Sequence, residues 1–349
     1  MTFVLAAAAV LLAQAGNMSG DVQAASCQGH LLAAWREGDA VVAAVDGRKV
    51  TVSEATRGTP AVACGRASWL VVWPSDNFGV DSRRVAFDGS LLPPVALFRG
   101  PFGAAEVAAS YGLDQFLVAW ADGVTIRTLR VGDAGTALET QPRAVNLSGI
   151  FVAPRIAWTG SAFFLGWAED RINPLSPKTT RIWGTRVSAS AIDPVSLPLI
   201  EAGAGLRGLQ PSMTAENERI TFAWVAEHGA QTCVDVARVG TLPKSVRCSD
   251  DRSTPVLDEA EIRYSRGELL LVWRELTRDF ASELYTMRLD DDIPTLLAER
   301  AWGVGLTTTS AGLGVAYFAA FAPPNEASVG TFMRVIEQDA PPTRRRAVR

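Results

Sequence analysis

Lysine and histidine are scarce in this chain. Among 349 residues lysine occurs only at Lys49, Lys178 and Lys244, and histidine only at His30 and His228. Two histidines are too few for a His-rich metal site; His30 starts a strand pattern and His228 follows Glu227 in a turn. The net charge of -4 leaves no basic face of the kind that binds nucleic acid. The four cysteines show no C-x-x-C spacing, which excludes zinc-ribbon and thioredoxin-like chemistry. No serine sits in a G-x-S-x-G setting, so a nucleophile elbow is missing. The sialidase pattern S-x-D-x-G-x-T-W is missing too, and Ser75–Gly79 and Gly132–Thr136 echo only fragments of it. Beyond residue 16 no apolar run is long enough to cross a bilayer as a helix. Amphipathic helical stretches are also lacking, which excludes a doubly wound α/β sheet. The one G-x-G-x-x-G match, Gly203 to Gly208, precedes Leu209-Gln210-Pro211 rather than a helix. It lacks the helix N-terminus that holds a pyrophosphate and reads as a flexible loop between repeats.

Tryptophan, by contrast, is abundant and periodic. An apolar run ending on an aromatic recurs as LLAAW at 31–35, WLVVW at 69–73, FLVAW at 116–120, FFLGW at 163–167, ITFAW at 220–224 and LLLVW at 269–273. A degenerate seventh copy ends at Tyr317. Six of the ten tryptophans occupy this one position, so the phrase is a repeat rather than a coincidence. An acid and a turn follow each Trp, and then a second β-rich run such as SRRVAFDG or RIWGTRVSA. With a short run before and another after, each repeat predicts about four strands joined by Gly, Asp and Pro turns. WLVVW and LLLVW do not alternate apolar with polar, so both faces of these strands must be dry. Stacking four-stranded blades around an axis dries both faces, and propeller blades run about 40–50 residues. The chain therefore reads as all-β: a single seven-bladed β-propeller of four-stranded antiparallel blades over 16–339. The blades fall near 21–56, 57–99, 100–148, 149–202, 203–250, 251–300 and 301–339, followed by a basic tail at 340–349. Blade seven lacks an evident fourth strand. Asp21–Ala25 is a candidate either for that strand or for the first strand of blade one.

The first fifteen residues, with an apolar core and Ala13-Gln14-Ala15, read as a signal peptide despite the missing positive n-region. That predicts a secreted or periplasmic protein with no transmembrane segment in the mature chain. Cysteine pairing follows the repeat: Cys27 and Cys64 precede Trp35 and Trp73 by eight and nine residues, and Cys233 and Cys248 flank a hairpin.

The phrase "LVVW-x-acid … G-x-R-V", here WLVVWPSD, FLVAWAD, LLLVWRE and RIWGTRV, resembles repeats of exported bacterial proteins with propeller-like architecture. The likeness spans roughly residues 21 to 339, and blade seven departs from it by losing its Trp and the following acid. It implies a scaffold and carries no catalytic residues over to this chain.

Candidate functional residues follow from the repeat. The acids after the aromatics include Asp76, Asp122, Glu169 with Asp170, Glu227 and Glu275, and they end equivalent strands on one face of the ring. Trp183 and the loop 172–180 are individual to blade four. One acid per blade spaces the carboxylates widely, so pairing with arginines of neighbouring hairpins is the expected role and calcium a minor alternative; no other cofactor is implied. The expected function is a binding scaffold for a protein or glycan, presented on the face carrying these loops. The alternative is a glycan-directed hydrolase with carboxylates at the mouth of the central channel, which requires acids to converge in one pocket with at least one raised pKa.

Overall fold

The computed structural model describes residues 10–15, 18–100, 104, 106–122, 125–145, 151–170, 179–188, 191–194, 198–204, 206–249, 256–277, 281–291, 293–320 and 329–337. Every regular element among them is a strand. Twenty-eight strands, numbered β1 to β28 in chain order, form seven four-stranded antiparallel sheets. The innermost strands are β2 (Met18–Cys27), β6 (Ala61–Cys64), β10 (Val107–Gly112), β14 (Phe151–Trp158), β18 (Leu206–Glu216), β22 (Val256–Ser265) and β26 (Ala301–Thr308). Each touches the next, and β26 touches β2, so the seven sheets close into a ring.

The motif phrases are the second strands, and their dryness explains the sequence pattern. Ser68–Ser75 and Gln115–Ala121 are buried at every position. The reason is packing on both sides: seven apolar clusters occupy the seven seams between blades. Trp73 packs with Leu32, Ala34 and Val41 of blade one. Trp120 packs with Leu70, Val72 and Val80 of blade two. Trp35 packs with Phe318 and Met333 of blade seven. Each motif aromatic thus fills the seam toward the preceding blade, a burial worth on the order of 1.5–3 kcal/mol per side chain.

Blade seven resolves the question of closure. Its sheet runs β26, β27 (Gly312–Ala320), β28 (Val329–Glu337) and then β1 (Val10–Ala15). Asp21–Ala25 belongs to the inner strand of blade one, and the closing strand is Val10–Ala15, paired from Val10 with Met333 to Ala15 with Val329. These six residues lie within the stretch that the sequence reads as a leader. Leu12 and Ala13 are buried against the cluster that holds Trp35 and Phe318.

Two disulfides are present, Cys27–Cys64 as the repeat register implies and Cys233–Cys248 as the hairpin between them implies. The first staples the inner strands of blades one and two; the second joins neighbouring strands within blade five. The glycine-rich stretch at 203–208 differs from the loop expected of it. Gly203 and Ala204 end one strand and Leu206 begins β18, which carries the chain directly from blade four to blade five.

Candidate functional site: the mouth of the central channel

Of the acids that follow the motif aromatics, Glu37, Asp122 and Glu275 are held within their own blades and seams. Asp122 is buried, accepts the Thr125 backbone N–H and pairs with Arg127 Nε at 2.5 Å. Glu275 is buried; its Oε1 accepts from Trp273 Nε1 at 2.9 Å and from Arg247 Nε, on blade five, at 3.0 Å. In blade one Trp35 Nε1 likewise donates to Glu37, which pairs with Lys49. Asp76 is exposed in a turn beside Ser75, and Glu227 is exposed with its backbone paired to Thr232. Glu169 and Asp170 pair through the backbone with Arg181 and Thr180, and their side chains lie outside the described residues, as does the loop 171–178. Trp183 is buried opposite Trp167 in the seam between blades three and four.

A different set of charged groups converges. The inner strands enclose a cavity of 610 Å³ along the ring axis, within the usual range for a small-molecule site. Asp21, Glu106, Arg155, Ser212, Glu261 and Arg263 line it. Asp258, Glu259 and Arg274 do not line it, but the charges of Asp258 and Arg274 act on Asp21 and that of Asp21 on Glu259. The register fixes the end on which most of them sit. Glu259 pairs with Arg274 and Glu261 with Val272, near the end of the second strand of blade six. They therefore lie toward the face where the loops after the motif aromatics emerge. Register breaks at Ser19/Gln23 in β2, Val152/Arg155 in β14 and Leu257/Glu259 in β22 recur at this level. Such irregularities re-aim side chains away from the regular pleat.

Hydrogen bonds across blades hold the cluster. Glu259 Oε1 accepts the Val304 N–H at 2.6 Å and Oε2 the Gly303 N–H at 3.3 Å, tying blade six to blade seven. Ser212 Oγ on blade five donates to Glu261 at 2.5 Å and accepts the Ile262 N–H at 3.0 Å. Arg274 makes a fork to both oxygens of Asp258, each at 2.6 Å. Blade seven contributes no side chain at Gly305. A Cβ there would stand 2.3 Å from the Val22 carbonyl oxygen, so glycine lets β2 come close and bring Asp21 toward blade six.

Electrostatics follow from this geometry. Burial pushes the Glu259 carboxyl up to about 8; the charge of Asp21 adds to the shift, while Arg274 and the Val304 N–H oppose it. Asp21 is also raised, by burial first, against the pull of Arg155 and Arg274 and with a further push from Asp258. Glu261 is raised by burial, opposed by Arg155 and the Ser212 hydroxyl. Burial lowers Arg263, partly offset by Glu261. The site thus holds carboxyl groups that burial shifts toward the protonated form beside guanidinium groups, equipped to hydrogen-bond a polar ligand. Among the described residues no group of three or more His, Cys, Asp or Glu is arranged to hold a metal ion.

Sequence reasoning named the channel mouth but missed these residues because it weighed the second strands. The available signal was in β22, whose stretch DEAEIR places Asp258, Glu259, Glu261 and Arg263 on a first strand. The equivalent strand of blade two reads AVAC.

No family model matches the chain, and no curated protein matches it. Solved structures do. The β-propeller domain of the trilobed protease from Pyrococcus furiosus has a TM-score of 0.52 at 11% identity, covering 93% of this chain and 99% of that one. The PQQ-bound aldose sugar dehydrogenase from Streptomyces coelicolor has a TM-score of 0.50 at 13% identity, covering 95% and 99%. At such identities the likeness is one of architecture: this chain is an all-β protein with the seven-bladed β-propeller fold.

Proposed function

We propose that this propeller is an exported binding scaffold that takes a small polar ligand at the channel mouth. The observation that carries the reading is the convergence of Asp21, Arg155 and Glu261, from blades one, four and six, on one cavity. Arg155 acts on both carboxyls, and the charge of Asp21 adds to the shift of Glu261. Groups brought together from so many blades form a surface that no single hairpin creates, in the concave place where ligands usually bind. A hydroxyl-rich ligand matches it, since hydroxyls donate to carboxylates and accept from guanidinium groups. The two disulfides fit an oxidising, non-cytoplasmic compartment, which supports the export part of the reading.

A second reading has its own observation: Asp21, Glu106 and Glu261 converge on this cavity and burial raises Asp21 and Glu261, which is the condition set above for a glycan-directed hydrolase at the same mouth. One experiment separates the two. The purified protein and its Asp21→Asn and Glu261→Gln variants are applied to a glycan array and a panel of hydrolase substrates. Binding without turnover, weakened in both variants, supports the scaffold. Turnover abolished in both supports the hydrolase. Binding or turnover that survives in both variants places the function elsewhere on the molecule and overturns the reading.

A further inference from the structure

Further along the inner strands the lumen carries one isolated charge. Arg263 pairs in register with Leu270, three residues before the motif aromatic of its blade. At the same level the other six blades present Ala25, Ala63, Ser110, Ala157, Thr214 and Thr307, all of which line the cavity and none of which is charged. Glu261 lies two residues earlier on the same strand, level with Arg155 and Ser212. The cavity thus has a first tier of mixed charge and a second tier holding a single guanidinium.

Arg263 stands where its neighbours supply an acceptor. In blade five the Thr214 hydroxyl accepts the Tyr264 N–H of blade six at 2.9 Å. In blade seven the Thr307 hydroxyl accepts the Ser26 N–H of blade one at 2.8 Å. The register makes Thr308 of blade seven the counterpart of Tyr264 and Ser26. Arginine has donors only and cannot accept an N–H there. Nor is the guanidinium spent elsewhere: among the described residues it makes no hydrogen bond and no ion pair. The charge of Glu261 acts on it but offsets its burial only in part. That carboxyl already accepts from Ser212 and interacts with Arg155, and burial shifts it toward its neutral form. A cation held out of bulk water without a partner is costly until something supplies negative charge.

We propose that Arg263 anchors a carboxylate in the lumen, and that the ligand of this protein is a sugar acid of single-ring size whose hydroxyls occupy the first tier. A carboxylate matches the guanidinium fork. The Thr308 N–H, by its equivalence to Tyr264 and Ser26, is a second donor to it. One guanidinium neutralises one charge, so a dianionic phosphate would leave charge uncompensated beside Glu261. Two residues of strand separate Arg263 from Glu261, about 7 Å at the rise of a β-strand. That is the reach of one ring rather than two, and at that reach ring hydroxyls meet the acceptors and donors of Glu261 and Arg155. The anchor rests on the reading of the channel mouth as a binding site and names the class of its ligand.

Calorimetric titration of the full chain with glucuronate, galacturonate and gluconate, and with glucose, galactose and inorganic phosphate, tests it. At least one sugar acid is expected to bind about tenfold or more tighter than the neutral sugars and phosphate. Arg263→Met keeps most of the stem and removes the charge, and is expected to erase that difference; Arg263→Lys keeps the charge without the fork and should retain part of it. Removing an unpaired cation relieves the free protein, so Arg263→Met without ligand is expected to melt no lower than the wild type. A clearly lower melting temperature shows that the guanidinium holds the fold and overturns the anchor. Sugar-acid binding that falls in Asp21→Asn but is unchanged in Arg263→Met overturns the anchor and leaves the channel-mouth reading standing. The same holds if only neutral sugars or phosphate bind at the mouth. Binding indifferent to both variants overturns both, and no binding by any of the three acids overturns the anchor.

Discussion

The indole N–H of Trp273 donates to Oε1 of Glu275 at 2.9 Å, and both side chains are buried. Trp35 and Glu37 repeat the relationship at 3.2 Å in blade one. In these two blades the acid two residues after the motif tryptophan is an internal acceptor for its indole. Glu275→Ala strands the indole N–H and removes the partner of Arg247, and is expected to cost about 1–3 kcal/mol in urea unfolding. Glu275→Gln keeps an acceptor and should cost less. Equal losses in the two variants would show that the hydrogen bond contributes nothing.

The raised acids give the fold a pH dependence of definite sign. A carboxyl whose folded pKa exceeds its unfolded one binds its proton more tightly in the native state. Its stabilising contribution is complete below the ordinary value of 4.5 and is lost as pH rises through about 8. Asp21 and Glu261 are shifted in the same direction. Stability is expected to decline from pH 5 to pH 8, and Glu259→Gln, which holds no titrating proton, should flatten that decline. Calorimetric melting across the window checks it; a wild type and variant with parallel profiles would contradict the assignment.

Closure of the ring by Val10–Ala15 makes the N-terminal strand a structural part of blade seven. Deleting residues 1–15 leaves one edge of β28 open and uncovers the cluster around Trp35. The shortened chain is expected to melt at a lower temperature and to self-associate on size-exclusion chromatography. Leu12→Ala alone should cost about 2–3 kcal/mol. Intact mass of the protein recovered from an exporting host then reports whether these residues are kept. An unchanged melting temperature in the shortened chain rules out a closing role.

The two disulfides differ in reach. Cys27–Cys64 spans a separation of 37 residues and Cys233–Cys248 one of 15. Restriction of the unfolded chain predicts losses of about 4 and 3 kcal/mol on replacing each pair with serine. Denaturant titration of the two double variants measures the order. A larger loss for the short loop would show that native contacts, rather than chain entropy, dominate.

Much of the architecture was legible because the repeat is written in bulky residues. A tryptophan buried against the preceding blade can be replaced by little else, so WLVVW and LLLVW announce their strands. Cys27 and Cys64 were pairable for the same reason, since register in one blade implies register in the next. The channel mouth was named as the place of a site, but the residues that form it were not legible. Asp21, Arg155 and Glu259 lie in distant parts of the chain, on strands whose order around the ring is known only once the ring closes. Trp183, singled out as individual to blade four, packs in a seam opposite Trp167 because cross-strand pairing places it there. The closing strand was hidden by its composition: VLLAQA satisfies a leader and an outer strand equally well.

The central claim is that ligand and the titrating carboxyls share the channel mouth. Calorimetric titration of one bound ligand near pH 8, in two buffers of different ionisation enthalpy, tests it most directly. Glu259 is half-protonated there, so a ligand that settles among Asp21, Arg155 and Glu261 is expected to change its protonation. The account predicts a measurable proton exchange in the wild type that disappears in Glu259→Gln. Binding with no proton exchange, or with the same exchange in that variant, would contradict it.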